Sequence, residues 1–460
     1  MIDPSVETFN RLIRTELPAR TPPLFDTACV FGGSIAGLLA ARVLADHARE
    51  VVIIERDQLD FAGTPRTGVP QDRHGHVLLP AGLKQLERWL PGVVKEAEAL
   101  GGFLAGPDHQ LVLMDGRRRI QSGDAQMLLG TRPFLETRIR SRVLALPNVS
   151  TRAGLATGLT YTEDGRVSGV QVGGASVAAD FVVDATGRAS KLSTWLEQDG
   201  YQRPPLERMP TGIHYATAHF ARTSSARSIE HSCVLALFSA QTMPADLTVS
   251  HTSVIEDDQW LVMLMSYDEH PAARSLDAFR ATCSELAPVF RQATTGELTR
   301  EIQTYHQADS RRRDFTSLTH FPAGLIAVGD AVASFNPIYG QGISSAALHA
   351  SCLSEYLTTD PDLSTQATGF FALQQVITDA AWSISAGGDE ARRDAIAGTK
   401  VSEEIERRRA AMGQIIRATL VDPAVSQAFS AVTYMEAHPA TLADPALLER
   451  ATAVNKGIES

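Results

Sequence analysis

The chain has few cysteines, no long hydrophobic run and no excess of positive charge, and each of these features argues against a class of protein. Its four cysteines are Cys29, Cys233, Cys283 and Cys352, and no two of them form a Cys-x-x-Cys pair. We therefore expect buried free thiols rather than disulfides or a metal site. No apolar stretch reaches the roughly 18 to 20 residues of a membrane span, and the N-terminus lacks a signal-peptide core. These absences predict a cytoplasmic protein without a membrane span.

The charge balance argues against a nucleic-acid partner. The 460 residues include 42 Lys and Arg against 53 Asp and Glu, which gives a formal net charge of -11 at pH 7. A basic face of the kind that binds a phosphate backbone is not expected from this balance. With 44% hydrophobic and 21% charged residues, the composition is that of a globular protein. The length suggests two or three domains, or one large α/β unit with an insertion.

A nucleotide-binding pattern occupies residues 26–56. An apolar run at 28–31 meets a turn of small residues, an apolar-periodic segment and a second apolar run at 51–54. This order predicts a strand, a tight turn, a helix and a second, parallel strand. Gly32 would let the chain turn sharply, and Gly37 would let the helix approach the strand. The free amides at the helix start could then hold a pyrophosphate.

Two further positions bear on this first motif. Glu55 ends the second strand 23 positions after Gly32, close to the offset of about 20 at which an acid accepts hydrogen bonds from a ribose. Ser34 stands where the Gly-x-Gly-x-x-Gly pattern has its middle glycine. A serine is small enough for the backbone to stay near a phosphate, although it narrows the allowed dihedral angles. An ordinary turn rich in small residues is the alternative.

A polar stretch follows the first motif. Residues 57–79 contain Arg66, Gln71, Arg73, His74 and His76 and end in an apolar segment. Long polar loops inside a domain are usually functional or disordered, and the apolar end favours order. The two histidines lack the carboxylate or cysteine neighbours that a metal site needs, so no metal is predicted.

Secondary structure further along is predicted from periodicity and caps. A helix is expected at roughly 80–99, and another begins at Thr131, which can cap it. Arg132 then lies at a helix N-terminus, where a cation is unfavourable. This suggests an anionic neighbour, with an exposed arginine as the plain alternative. Strands alternate with turns through 151–183, including a hairpin at 163–166.

Residues 205–305 are predicted to form a sheet that determines substrate specificity. Four segments read as successive strands without intervening helices, which suggests an antiparallel sheet followed by a helix near 275–292. The strand segments are 214–221, 233–238, 247–254 and 260–267. Among its histidines, His214, His219, His231 and His251 are candidate pocket acids or bases, although strand histidines are more often only hydrogen-bonded. Tyr305, His306 and the arginines at 311–313 could border the pocket or lie in a solvated loop.

A second nucleotide-binding pattern lies near residues 325–357. A buried strand ends in Asp330, a loop of small residues follows, and a helix is expected at 343–357. The amides of Gly340, Gln341 and Gly342, at the positive end of that helix, would face whatever occupies the loop. The remainder of the chain is predicted to be helical.

With these segments identified, the chain resembles the class A flavoprotein monooxygenases, the family of p-hydroxybenzoate hydroxylase. The resemblance rests on Gly32-x-Ser34-x-x-Gly37 with Glu55, and on Gly329-Asp330 with Asn336-Pro337-x-x-Gly340-Gln341-Gly342. Within the family it is most similar to the bacterial polyether epoxidases and related natural-product tailoring oxygenases. That likeness rests on four segments, which are Arg66-Thr67-Gly68-Val69-Pro70-Gln71-x-x-His74-x-His76, Thr131-Arg132, Asp184-x-Thr186-Gly187-Arg188 and Asn336-Pro337-Ile338-Tyr339-Gly340.

The resemblance implies an α/β fold with a Rossmann-like FAD-binding domain of the GR2 type. It also implies an inserted antiparallel substrate sheet and a helical C-terminal region. The implied domains are 26–203 and 309–357 for FAD, 204–308 for the substrate sheet and 358–460 for the C-terminal helices.

It also implies the residues that hold FAD. Gly32, Gly33, Ser34, Ile35, Ala36 and Gly37 would hold the pyrophosphate, and Glu55 the adenosine ribose. Arg66 and Arg132 would neutralise phosphates or hold the ribityl chain, and Asp330 would bind its hydroxyls. Pro337 would lie against the isoalloxazine, and the amides of Gly340, Gln341, Gly342 and Ile343 would stabilise negative charge on reduced flavin. Arg56, Gln71 and His74 complete the predicted cofactor site, and no protein residue is assigned a catalytic role with certainty.

The implied function is that of an FAD-dependent monooxygenase. A C4a-hydroperoxyflavin would epoxidise or hydroxylate a lipophilic alkene or aromatic, polyketide-like intermediate, with O2 as co-substrate. NADPH or NADH would be the reductant. Many members have Asp-Gly where this chain has Thr186-Gly187, an acid associated with both FAD and the nicotinamide, so a separate flavin reductase is also possible.

The motifs also bear on other activities. A flavin halogenase should carry Trp-x-Trp, which is absent here, and a nicotinamide dehydrogenase would leave the second motif without a role. A flavoprotein whose FAD is structural, catalysing a non-redox cyclisation, stays open, as does a flavin oxidase or dehydrogenase.

Overall fold

The computed structural model describes residues 3–19, 21–59, 63–66, 68–69, 72, 74–239, 247–267 and 273–459. The strands, in chain order, are β1 (Phe25–Phe31), β2 (Ala48–Glu55), β3 (Gly75–Leu78), β4 (Phe103–Ala105), β5 (Gln110–Met114), β6 (Arg117–Arg118), β7 (Met127–Thr131), β8 (Val149–Ala153), β9 (Ala156–Tyr161), β10 (Val167–Val172), β11 (Ala175–Ala178), β12 (Phe181–Asp184), β13 (Leu206–Ala221), β14 (Cys233–Leu237), β15 (Val249–Ile255), β16 (Gln259–Tyr267), β17 (Leu298–Arg313), β18 (Leu325–Ala327) and β19 (Ala333–Ser334). The helices are α1 (Pro4–Leu12), α2 (Ile35–Leu44), α3 (Pro80–Trp89), α4 (Val93–Ala99), α5 (Arg132–Leu144), α6 (Leu192–Gln198), α7 (Ser224–Arg227), α8 (Leu276–Glu285), α9 (Pro288–Ala293), α10 (Gly342–Thr358), α11 (Thr368–Ala397), α12 (Glu403–Ala418), α13 (Pro423–Thr433) and α14 (Pro445–Glu459).

A five-stranded parallel sheet forms the centre of the nucleotide-binding part, in the order β18-β12-β1-β2-β8. Its central strand β1 is apolar and buried over residues 28–31, as expected for a strand covered on both faces, and Cys29 and Val30 have no exposed surface. The chain runs from β1 through α2 into β2, so the predicted strand, turn, helix and parallel strand are confirmed. The carboxyl ends of β1, β12 and β18 meet at one edge, where parallel sheets bind their ligands.

The second large sheet has eight strands in the order β19-β17-β13-β16-β15-β14-β5-β6. The predicted antiparallel strands are confirmed as β13 to β16, but β5 joins them by pairing in parallel with β14, so the sheet is mixed. Hydrophobicity alone could not place β5, because its partner lies more than 100 residues away. Residues 298–313, which include Tyr305, form the long strand β17 rather than a solvated loop.

Alternating residues of β16 face two different environments, as the two-residue period of a strand requires. Trp260, Val262 and Leu264 pack into a cluster with α8 and α9. Leu261, Met263 and Met265 belong to a separate apolar cluster on the opposite face. The sheet is therefore anchored by helices on one side and presents apolar side chains on the other.

Two predicted helices are interrupted. The helix expected at 80–99 consists of α3 and α4, and the one near 275–292 consists of α8 and α9. Pro91 and Gly92, the latter with φ of 85°, separate the first pair, and Pro288 disfavours helical geometry at Ala287 before it. Both breaks therefore follow from proline chemistry.

The remaining predictions of secondary structure hold. The turn at 163–166 joins β9 to β10 in a small antiparallel sheet, and β3, β7 and β4 form another. Thr131 caps α5, since its Oγ1 accepts a hydrogen bond from the Phe134 amide at 3.3 Å. The chain after residue 367 is helical, beginning with the 30-residue α11.

All four cysteines are buried and free.

Candidate functional site

One cavity of about 850 Å³ connects the carboxyl edge of the parallel sheet with the apolar face of the mixed sheet. Of the predicted cofactor residues, those on its wall are Gly32, Ser34, Ile35, Ala36, Glu55, Arg56, His74, Arg132, Asp330, Pro337, Gly340, Gln341, Gly342 and Ile343. Gly33, Gly37 and Arg66 lie behind the wall, and Gln71 falls outside the described residues. The structure therefore brings both sequence motifs to one space.

The first motif has the geometry that its glycines predict. Gly32 has a φ of 108°, and a Cβ there would lie 2.4 Å from the carbonyl oxygen of Ala185. A Cβ on Gly37 would lie 1.8 Å from the carbonyl oxygen of Gly32, so only glycine lets α2 start this close to β1. The Gly33 amide donates to Glu55 Oε2 at 2.7 Å. This bond fixes the carboxylate beside the N-terminus of α2.

Arg132 has the anionic neighbours that its position at a helix N-terminus suggested. Its Nε lies 3.1 Å from Asp72 Oδ1, and its Nη2 donates to Ser34 Oγ at 3.0 Å. Ser34 in turn donates to Glu136 Oε2 at 2.5 Å. Burial raises the pKa of Asp72 to about 6 although Arg132 lowers it. The arginine is therefore held over the first motif.

Arg66 is tied to carboxylates behind the cavity wall. Its Nη2 lies 2.6 Å from Glu136 Oε1, and its Nη1 lies 3.4 Å from Glu55 Oε2. It thus supports the predicted ribose acid from behind, and a direct contact with the cofactor stays a prediction. Glu136, which also pairs with Arg140 at 2.6 Å, was not identified from the sequence. Its place four residues from both Arg132 and Arg140 on α5 was the available signal.

The second motif turns at the end of β18. Gly329 has a φ of 61°, and its amide donates to Nδ1 of the buried His349 at 2.9 Å. Asp330 follows on the cavity wall, where burial raises the pKa of its carboxyl, and Arg132 and Arg188 lower it. The loop is held from α11, because Asn336 Nδ2 donates to Asp389 Oδ1 at 2.8 Å.

The start of α10 offers open space and free polar groups. A Cβ on Gly342 would meet no atom within 4 Å. The side-chain amide of Gln341 is buried, and neither its Nε2 nor its Oε1 has a partner among the described residues. With the free amides and positive ends of α2 and α10 at the same cavity, these residues fit an elongated dinucleotide such as FAD.

The far end of the cavity is apolar. Its wall there includes Leu235, Leu237, Val249, Met263 and Met265. Of the four candidate histidines only His251 lines the wall, and burial lowers its pKa to about 4, so it is neutral near pH 7. Tyr305 also lines the wall, which agrees with the prediction that its segment borders the pocket.

Thr186, Gly187 and Arg188 border the cavity where many flavoprotein monooxygenases have Asp-Gly. The nearby Asp184 does not replace the missing acid, because it is fully buried and accepts hydrogen bonds from Thr186. Arg188 donates to Asp309 Oδ1 at 2.8 Å. The wall therefore carries a cation and a hydroxyl at this place rather than a carboxylate.

The chain is similar to flavoproteins in both sequence and fold. The family described as FAD binding domain matches residues 26–359. Protein Rv3254 of Mycobacterium tuberculosis is 33% identical over 355 residues, which cover 72% of this chain and 73% of that protein. No helix in the described part of the chain is long and apolar enough to cross a membrane.

Solved structures with a similar fold share little sequence with this chain. The pqsL protein of Pseudomonas aeruginosa, a probable FAD-dependent monooxygenase, has a TM-score of 0.61 at 18% identity. The match covers 81% of this chain and 98% of the pqsL chain. The flavin-dependent brominase Bmp2 has a TM-score of 0.59 at 15% identity, and the match covers 95% of this chain and 99% of the Bmp2 chain. The 2-methyl-3-hydroxypyridine-5-carboxylic acid oxygenase has a TM-score of 0.58 at 18% identity, with coverage of 83% and 95%.

Proposed function

Because the chain belongs to the family defined by the FAD binding domain, we propose that it is an FAD-dependent monooxygenase. Its substrate would be a lipophilic alkene or aromatic natural-product intermediate of polyketide type, which it would epoxidise or hydroxylate. The observation that carries the proposal is the continuity of this cavity, which joins the two nucleotide-binding motifs to an apolar chamber. Such a cavity would hold a flavin and an apolar molecule side by side.

The first motif would bind the adenosine end of FAD. The amides at the start of α2 would donate to the pyrophosphate, and Glu55 would accept hydrogen bonds from the ribose. Glu55 is already oriented by Gly33 and by the Asp57 amide, which donates to its Oε1 at 3.0 Å. Arg132, on the wall beside Ser34, would balance phosphate charge.

The second motif would surround the ring end. When bound, FAD supplies the oxygen-activating chemistry, and the protein supplies binding, orientation and electrostatics. Pro337 would pack against the ring, and the amides of Gly340 to Ile343, at the positive end of α10, would stabilise negative charge there. The apolar side chains of β14, β15 and β16 would keep water from the reacting atoms.

The reductant would be NADPH or NADH, acting directly or through a flavin reductase. Thr186 stands on the cavity wall where many members have the acid associated with the nicotinamide, so both routes stay part of the proposal. Direct reduction and reduction by a partner are separated by whether NADPH alone is sufficient.

The test is oxygen incorporation by the FAD-loaded protein. Styrene, geraniol, 2-naphthol and 2-naphthoate are incubated with isotopically labelled O2 and NADPH, with and without a flavin reductase. The expected result is a product that carries one labelled oxygen atom. Anaerobic and FAD-free samples are the controls. A product that forms equally without oxygen would refute the proposal and favour the non-redox alternative.

A further inference from the structure

Arg119 is a buried cation at the apolar end of the cavity. It follows the hairpin of β5 and β6, and its amide donates to the carbonyl oxygen of Val112 at 2.9 Å. Only 4% of the residue is exposed, yet it lines the cavity wall. An arginine cannot lose its charge in a protein, so this site keeps a positive charge at every physiological pH.

Within the described residues, the contacts of Arg119 supply no anion for that charge. Its Nη2 donates to Ser430 Oγ and to Tyr434 Oη, both at 3.2 Å, and the ring centroid of Phe429 lies 5.9 Å from its Cζ. No carboxylate among the described residues forms an ion pair with it, and its Nε has no hydrogen-bond partner there. Hydroxyls and one ring satisfy part of the guanidinium but do not neutralise it.

Another buried arginine of this chain shows the usual solution. Arg140 is 3% exposed and pairs with Glu136 at 2.6 Å. Burying a charge costs free energy unless it is paired. A buried arginine on a cavity wall that has no carboxylate partner among the described residues is therefore suited to bind an anionic ligand, which would neutralise its charge.

The carboxylates on the cavity wall belong to other segments of the chain. Within the described residues they are Glu55, Asp57 and Asp330, all in the two nucleotide-binding segments. Around Arg119 the wall carries instead apolar residues such as Met127 and Cys233. A molecule that reaches this part of the wall meets the guanidinium of Arg119.

The Arg119 end is also close to the proposed flavin loop. Tyr434, which binds Arg119, packs in one apolar cluster with Leu79. Leu79 Cδ1 would lie 3.7 Å from a Cβ on Gly340. Leu79 thus lies beside the loop that would hold the ring and belongs to the same apolar cluster as the residue that binds Arg119.

From these contacts we propose that Arg119 binds an anionic oxygen group of the substrate, so the substrate is a lipophilic carboxylic acid or comparable oxyanion rather than a neutral hydrocarbon. The inference rests on the proposed function, because it takes the apolar chamber to be the substrate site. The planar guanidinium suits a carboxylate, and the hydroxyls of Ser430 and Tyr434 can turn to donate as well. The apolar body of the substrate would then extend past Leu79 toward the second motif.

The test compares a charged probe with a neutral one of the same shape. Binding of 2-naphthoate and of 2-naphthamide to the FAD-loaded protein is measured by calorimetry. The expected result is binding of naphthoate at least about tenfold tighter than naphthamide, in line with a charge-assisted hydrogen bond. Equal affinities, or binding of neither probe, would overturn the inference.

Variants locate the effect. Arg119→Gln should lose the preference for naphthoate, and Arg119→Lys should keep part of it. Arg118→Gln is the matched control, because Arg118 is exposed on β6 and does not line the cavity. A preference that survives Arg119→Gln would contradict the assignment. If that variant does not fold, the wild-type probe pair still decides.

The flavin spectrum of the same samples separates two kinds of failure. Protein that holds FAD and is reduced by NADPH, but does not prefer naphthoate, overturns only the role of Arg119. Protein that takes up no FAD overturns the proposed function.

Discussion

Replacing Gly342 with leucine should weaken FAD binding without weakening the fold. A Cβ at this position would meet no atom within 4 Å, and the residue begins α10 on the cavity wall. Leucine has a higher helix propensity than glycine, so the apoprotein should be unchanged or more stable, by up to about 1 kcal/mol. Its side chain, however, would enter the space where we place the flavin ring.

The size of the binding defect follows from the cost of overpacking. Extra methylene groups in a filled site cost about 1–3 kcal/mol, which corresponds to a roughly 5- to 150-fold weaker affinity for FAD. Flavin affinity is measured by titrating apoprotein with FAD and following the quenching of flavin fluorescence. Apoprotein stability is measured by thermal unfolding.

Gly387→Leu is the matched control for this prediction. Gly387 is an exposed helical glycine whose Cβ would also meet nothing within 4 Å, but it does not line the cavity. It should show the same sign of stability change with unaltered FAD affinity. Wild-type FAD affinity in Gly342→Leu would show that the start of α10 does not face the flavin.

Three further predictions concern the supporting structure. Gly37→Ala should lower apoprotein stability by about 1–3 kcal/mol in urea unfolding, since its Cβ would lie 1.8 Å from the Gly32 carbonyl oxygen; an unchanged midpoint would contradict the close approach. Thr131→Ala should cost about 0.5–2 kcal/mol because the Phe134 amide loses its cap, and no loss in the same assay would show that the cap is dispensable. Burial raises the pKa of Asp389 from 3.8 to about 6. Between about pH 4 and about pH 6 the folded state therefore keeps a proton that the unfolded state has lost, so the stability of the wild type should fall relative to that of Asp389→Asn as the pH rises through this range. Parallel pH profiles of the two proteins would refute that shift.

The nucleotide-binding part was predictable because its signals are local. Gly32, Gly37 and Glu55 lie within one strand, turn, helix and strand, and their spacing specifies the contacts that the structure contains. Asp330 and the start of α10 are equally local. Family membership and a fold shared with flavin-dependent monooxygenases confirm the resemblance on which the FAD assignment rests.

The substrate end was not predictable in the same way, since its residues come from distant segments. Tyr434 and Arg119 are 315 positions apart, and nothing near either residue in the sequence signals the other. The pairing of β5 with β14 has the same long-range character. Arg66 shows a similar limit of local motifs. Its motif predicts a contact with phosphates or the ribityl chain, but it does not predict the carboxylates of Glu55 and Glu136 that lie beside it.

The boundaries of the predicted domains and the role of each cofactor residue stay predictions. The structure places most of the proposed site residues on one cavity wall, which is the arrangement that FAD binding requires.

The most direct test of the central claim is the visible spectrum of the purified protein, recorded anaerobically before and after NADPH is added. The account predicts oxidised flavin bands at about one FAD per chain, either as isolated or after incubation with FAD. It also predicts that the bands bleach with NADPH, alone or with a flavin reductase. A protein that shows no bands after incubation with FAD, or bands that neither electron source bleaches, would contradict the account.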